Sequence, residues 1–259
     1  MHTDFTITTA EGTYTLMPKL IISDTPDKEA GEHITNIIQE HTGDVLCLLS
    51  GGSALDVVEH IRPGKKCFHQ NCIGQLCEKT ECRTIFMLGD ERGSREPAVN
   101  NFLQLKNRYL DYPILNKTLD TVPLENESLE DFSIRIEEKF FSILTELNDP
   151  KILYVLGVGT DGHVAGIFPG EIDWFMKTYR DDLTYAPIHL EGLKIDSRTS
   201  LTPTWILQNV DELIGYAVSP DKHEILTKLN TEDKKLHERP AEILKLHTRS
   251  TVYTDQDLA

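Results

Sequence analysis

A carboxylate and an imidazole stand two residues apart in Gly159-Thr160-Asp161-Gly162-His163, directly after an unbroken apolar run, Ile152-Leu153-Tyr154-Val155-Leu156. An imidazole titrates near neutral pH and can relay a proton. A neighbouring carboxylate can fix its tautomer and stabilise its cation. Two other polar clusters have the same setting. Val45–Leu49 runs into Ser50-Gly51-Gly52-Ser53, whose free backbone N–H groups and hydroxyl suit an anion. Thr84–Leu88 runs into Gly89-Asp90-Glu91-Arg92, and a guanidinium such as that of Arg92 grips a phosphate through two parallel hydrogen bonds. Singly, each has a plainer explanation: a half-buried histidine with its partner, a tight turn, one half of a surface ion pair. Ligands of parallel α/β sheets sit outside the carboxyl ends of the strands, so these three loops are expected to gather on one edge. Anion donors and a base converging there make a site.

The elements that must carry these loops are legible from periodicity. Apolar runs predict strands at 20–23, 45–49, 84–88 and 152–156, the last buried on both faces, with later strands near 184–188, 199–201 and 213–218. A helix is expected over 27–40, with Ile34, Ile37 and Ile38 on one face. Ser53 is expected to cap a helix carrying Leu55, Val58 and Ile61. A long amphipathic helix is expected over 128–147, where Leu129, Phe132, Ile136, Phe140, Leu144 and Leu147 recur at three- and four-residue spacing. Short helices should follow at 222–229 and 240–246. Thr6–Thr9 and Thr13–Leu16 flank Glu11-Gly12 as a small hairpin. Strands alternating with helices imply a three-layer α/β/α fold around a mostly parallel, Rossmann-like sheet, plus that hairpin. No repeat or linker divides the chain, so one domain over 1–259 is expected, with 1–18 as an N-terminal extension.

Composition narrows the partners. At 259 residues, 39% hydrophobic and 26% charged, the chain has the make-up of an ordinary soluble globule. A net charge of −16 argues against nucleic acid, whose phosphates demand a basic surface, while leaving room for a small anion held by local cations. No run of about 18 apolar residues supports a membrane span. Met1-His2-Thr3-Asp4-Phe5 lacks the features of a secretory signal, so a cytoplasmic protein is expected. Four of the five cysteines, Cys67, Cys72, Cys77 and Cys82, recur every fifth residue. That is not zinc-site spacing, and His69 does not rescue one; free thiols and no metal are expected.

In order and spacing, the chain resembles the 6-phosphogluconolactonases, within the wider fold that includes glucosamine-6-phosphate deaminase. The resemblance rests on 49–53, on 89–92 followed by Asn100-Asn101-Phe102, and on 156–170 with its Asp161-Gly162-His163 core and Phe168-Pro169-Gly170 end. It continues through Arg198-Thr199-Ser200-Leu201-Thr202, Lys222 ahead of Ile225-Leu226, and Pro240-Ala241-Glu242-Ile243-Leu244, covering about residues 20–255. Deaminases typically have an aromatic residue after Asp-Glu and a glutamate five positions past the histidine. Here those positions hold Arg92 and Phe168, which favours the lactonases. The chain departs from them at Ala54-Leu55 and at Val164-Ala165-Gly166, each departure removing a hydroxyl or rigid element beside the presumed ligand.

The resemblance implies hydrolysis of a phosphorylated sugar lactone, 6-phospho-glucono-1,5-lactone, to 6-phosphogluconate in the pentose phosphate pathway. His163 would activate water, Asp161 would orient it, and Arg92 is a candidate for the charge on the carbonyl oxygen or for the phosphate. Gly51, Gly52, Ser53, Arg198 and Lys222 would hold the phosphate, with Asp90 organising its loop. No cofactor or metal is implied. The implied partner is a small-molecule sugar phosphate, with neither nucleic acid nor membrane, in a monomer or weak homodimer. The alternatives are a deaminase/isomerase-like enzyme and a non-catalytic sugar-phosphate-binding protein.

Overall fold

The structure, a computed structural model, describes residues 17–63, 65–66, 76–77, 83–112, 114–192 and 195–258. In chain order, β1 (Lys19–Ile22) and α1 (Pro26–Glu40) lead to β2 (Val45–Leu49) and a 3-10 helix over Gly52–His60. The short β3 (Lys65–Lys66) and β4 (Leu76–Cys77) follow, then β5 (Thr84–Leu88), β6 (Asp90–Arg92), α2 (Asn101–Arg108) and α3 (Leu129–Glu146). Next come β7 (Lys151–Gly157), α4 (Ile172–Thr178), β8 (Tyr185–His189), β9 (Ser197–Leu201), α5 (Pro203–Asn209) and β10 (Glu212–Tyr216). Last are α6 (His223–Thr231), α7 (Ile243–Leu246) and β11 (Ser250–Thr254).

Six strands form one sheet in the order β1-β11-β10-β7-β2-β5, and every neighbouring pair is parallel. Successive side chains of a strand face opposite ways, which splits the apolar runs between two cores. Leu46, Leu48, Tyr154 and Leu156 join Phe132, Ile136 and Phe140 of α3. Cys47, Leu49, Leu153 and Val155 join Ala30, Ile34 and Ile38 of α1 on the other side. Each such Leu, Ile or Phe contributes about 1.5–3 kcal/mol by leaving water, so the layered architecture follows from the runs themselves. Ser128 caps α3 by accepting from Asp131 N at 3.1 Å, where the periodicity places its start.

Several expectations are corrected. The predicted strands near 184–188 and 199–201 exist as β8 and β9, but they leave the parallel sheet. They pair antiparallel with each other and with β6 in a separate sheet, β6-β9-β8. Asp90, Glu91 and Arg92 are therefore a strand rather than a loop. Ser53 caps nothing: Gly51 is the cap residue of a 3-10 helix, without a side-chain capping bond. β11, a central strand, and α2, α4 and α5 have no counterpart in the sequence reading. The N-terminal hairpin, together with Cys67, His69, Cys72 and Cys82, lies outside the described residues. Among those described, no helix is long and apolar enough to cross a membrane.

Candidate active site

Two adjacent parallel strands, β2 and β7, end side by side, with Leu49 opposite Val155. Their exits form the floor of a cavity of about 200 Å³. Gly51, Gly52, Ser53, Asp90, Arg92, His163, Arg198 and Lys222 all line it. Asp161 does not line it; it stands behind His163, accepting from the ring Nδ1 at 2.5 Å and from the His163 backbone N–H at 3.1 Å. The nine sequence candidates thus come from five segments onto one edge.

The His163 turn is set by backbone geometry. Gly162 sits at φ +84°, where a side chain would be strained. Its N–H donates to Gly159 O at 3.0 Å, and Gly159 N–H donates to His163 O at 2.8 Å. A Cβ on Gly159 would come within 2.1 Å of His163 Nδ1, so only glycine leaves room for the imidazole. Burial is the largest single influence on Asp161 and opposes its ionisation, but the hydrogen bonds and charge of His163 together with backbone hydrogen bonds hold the carboxyl below its ordinary range. An ionised carboxylate only accepts, so in the neutral ring the proton faces it on Nδ1 and the lone pair lies on Nε2. That is the form a general base requires.

The same cavity holds an unusual arrangement of charge. Arg92 on β6 and Arg198 on β9 are direct cross-strand partners. Like charges so placed repel each other. Arg92 donates from Nη1 to Val99 O at 2.8 Å, yet the buried Nε of each arginine lacks a hydrogen-bond partner among the described residues. Asp90, 3% exposed, is a counter-charge to both. Burial raises the Asp90 carboxyl while Arg92 and Arg198 pull it down; burial likewise lowers the Arg198 guanidinium, with Asp90 opposing. Ser50 interacts with Asp90 and with the buried Tyr154 hydroxyl, and Asn101 Oδ1 is a further buried polar atom without a hydrogen-bond partner among the described residues. Unsatisfied buried groups are costly and uncommon, and their concentration at one place suits a polar ligand. Lys222 reaches the cavity from the 3-10 turn Pro220–Lys222, its Nζ 3.6 Å from Asp221 Oδ2. Gly52, at φ +70°, would meet nothing within 4 Å if given a Cβ, which leaves its backbone open to a ligand.

Several residues of the site escaped sequence reasoning. Glu91, 1% exposed, accepts from the backbone N–H groups of Arg92, Asn101 and Phe102 and from Thr121 Oγ1, at 2.6 to 2.9 Å. Burial pushes this carboxyl up to about 7. It organises the segment more extensively than Asp90, to which that task was assigned. Asn101 donates to Asp90 O and Oδ2 at 3.0 and 3.2 Å and fills the space beside Gly51. Phe168 stacks on His163. Asn100-Asn101-Phe102 and Phe168 were visible as motif positions, but nothing in the sequence reveals what they touch. Among the described residues no cluster of His, Cys, Asp or Glu could hold a metal ion.

A family model for glucosamine-6-phosphate isomerases/6-phosphogluconolactonase matches residues 27–253. No curated protein matches by sequence. Among solved structures, 6-phosphogluconolactonase from Trypanosoma brucei superposes with a TM-score of 0.67 at 21% identity, covering 94% of this chain and 98% of that one. The enzyme from Leishmania guyanensis gives 0.66 at 18%, with 92% and 96% covered. A monomeric glucosamine-6-phosphate deaminase gives 0.65 at 18%, with 93% and 98% covered. Neighbours of both activities share the fold equally well, so fold likeness does not choose between them. The match over 27–253 shows that the chain belongs to the family of glucosamine-6-phosphate isomerases and 6-phosphogluconolactonases.

Proposed function

We propose that this protein hydrolyses a phosphorylated sugar lactone, 6-phospho-glucono-1,5-lactone being the expected substrate, through one 6-phosphogluconolactonase-like domain. The observation that carries this reading is the Asp161–His163 couple opening onto a cavity that Arg92, Arg198 and Lys222 also line. The imidazole supplies a base, and the cations beside it receive an anion.

In this reading His163 Nε2 takes a proton from water as the water oxygen attacks the lactone carbonyl carbon. Negative charge then builds on the carbonyl oxygen, where a guanidinium stabilises it. Collapse of the tetrahedral intermediate breaks the bond from carbonyl carbon to ring oxygen. The imidazolium returns its proton to that departing oxygen, leaving a carboxylic acid and a hydroxyl. Asp161 stabilises the transient imidazolium. The phosphate, held by the remaining cations and the 51–53 turn, positions the ring through an anchor remote from the reacting bond. Phe168 supports hydrolysis over deamination: its ring, 4.6 Å from the imidazole, stands where the resembling deaminases have a glutamate.

The test is lactone hydrolysis above the spontaneous rate. Wild type should show it, and His163→Gln should lose about 10²–10⁴-fold, the usual contribution of a positioned base. Ammonia release from glucosamine-6-phosphate without lactone hydrolysis would reverse the assignment. Binding of 6-phosphogluconate with neither reaction would indicate a sugar-phosphate sensor.

A further inference from the structure

Phe168 touches two functional groups at once. Its ring lies 4.6 Å from the His163 imidazole, centroid to centroid, with 20° between the planes. The Arg198 guanidinium carbon lies 4.9 Å from the centroid of the same ring. The backbone that carries the ring is pinned: the Tyr179 hydroxyl accepts from Phe168 N–H and donates to Gly166 O, both at 2.9 Å. Val164 and Ile167 exchange two backbone hydrogen bonds, at 2.8 and 3.2 Å, closing the same segment. Phe168 is 7% exposed.

The chemistry of the pocket gives this contact a use. A base that takes a proton becomes a cation, and here it does so in a cavity already lined by Arg92, Arg198 and Lys222. Asp161 offsets the charge from the Nδ1 side and Asp90 from beneath. An aromatic face attracts cations through its quadrupole, more strongly where water is excluded. It also fixes the imidazole plane without competing for either ring nitrogen.

We propose that Phe168 is a positioning residue, whose ring holds the His163 imidazole in plane against Asp161 and shares its face with Arg198, so that both groups carry positive charge in one pocket. This rests on the proposed hydrolytic role of His163 and deepens it.

The test separates the two. In the free protein, with no substrate, the His163 ring protons are titrated by NMR in wild type, Phe168→Leu and Phe168→Tyr. The leucine variant should titrate about 0.5–1 pH unit lower than wild type, a three- to tenfold loss of imidazolium stability, and the tyrosine variant should restore most of it. Unchanged midpoints in Phe168→Leu overturn the proposal whatever the enzyme's reaction. For turnover, Phe168→Leu should lose about tenfold in kcat with KM for the lactone within twofold, and Phe168→Tyr should recover it. A loss confined to KM would contradict positioning. If wild type titrates as described yet hydrolyses no lactone, the functional reading fails and the contact stands. Should Phe168→Leu not fold, Phe168→Met, with a flexible side chain of similar volume, gives the same comparison.

Discussion

Two clusters of cations lie on either side of the His163 turn, and they are built on opposite rules. Behind it, Arg239 and Lys245, 5% and 1% exposed, surround Glu242 at 3%. Arg239 Nε donates to Glu242 Oε1 at 2.6 Å, and Lys245 Nζ lies 3.1 Å from Glu242 Oε2. Their remaining donors reach Glu232 O, Leu229 O and Asp233 Oδ1. In front, Arg92 and Arg198 face each other and form no ion pair among the described residues. The paired cluster is scaffold: the Arg239 stem would be only 2.8 Å from a Cβ on Gly162, and Ala241 N–H donates to Gly162 O at 2.8 Å. Buried charge completed by the protein braces the turn; charge left incomplete is what the proposed reading gives to a ligand. Breaking the first should cost stability, and breaking the second should cost binding.

The largest effect is expected in the paired cluster. Glu242→Ala strands two buried cations and should lower stability by about 3–5 kcal/mol, read from denaturant unfolding. Next is Gly159→Ala, whose methyl group would displace the imidazole; a displacement of about 1 Å costs on the order of a hundredfold in kcat, with the fold retained by circular dichroism. Arg198→Met should behave oppositely to Glu242→Ala. Removing one of two facing like charges should leave the melting temperature unchanged or raise it by about 2–4 °C, as calorimetry would show. A large loss of stability there would erase the distinction between the clusters.

The smallest effect is on acid stability. The folded Asp161 carboxyl titrates below its ordinary value of 3.8, so its contribution is fully present above that pH and is lost as pH falls through the folded value. Asp161→Asn should flatten the stability profile in that acid window. An unchanged slope would mean that the contact with His163 does not perturb the carboxyl.

The comparison also explains what the sequence could disclose. β2, β5 and β7 were legible because hydrophobic burial writes long apolar runs, and α3 because Phe132, Ile136 and Phe140 keep helical spacing. The convergence of the 50–53 and 161–163 loops followed from strand direction alone. The sheet that pairs the arginines was hidden: Asp90-Glu91-Arg92 is a strand of three charged residues, which no hydrophobic pattern announces. Only pairing with β9 places Arg198 opposite Arg92, although the two are far apart in sequence. β11, Ser250-Thr251-Val252-Tyr253-Thr254, reads as half polar, yet Thr251 and Thr254 are buried because it lies between β1 and β10. Family likeness marked Arg198, Lys222 and Phe168, but their contacts depend on tertiary structure.

The most direct measurement is calorimetric binding of 6-phosphogluconate to wild type, His163→Gln and Arg198→Met. With anion capture and proton transfer assigned to different side chains, His163→Gln should bind within about threefold of wild type. Arg198→Met, losing a charged hydrogen-bond donor, should bind at least about tenfold more weakly. Wild-type affinity in Arg198→Met, or loss of binding in His163→Gln, would contradict that division of the site.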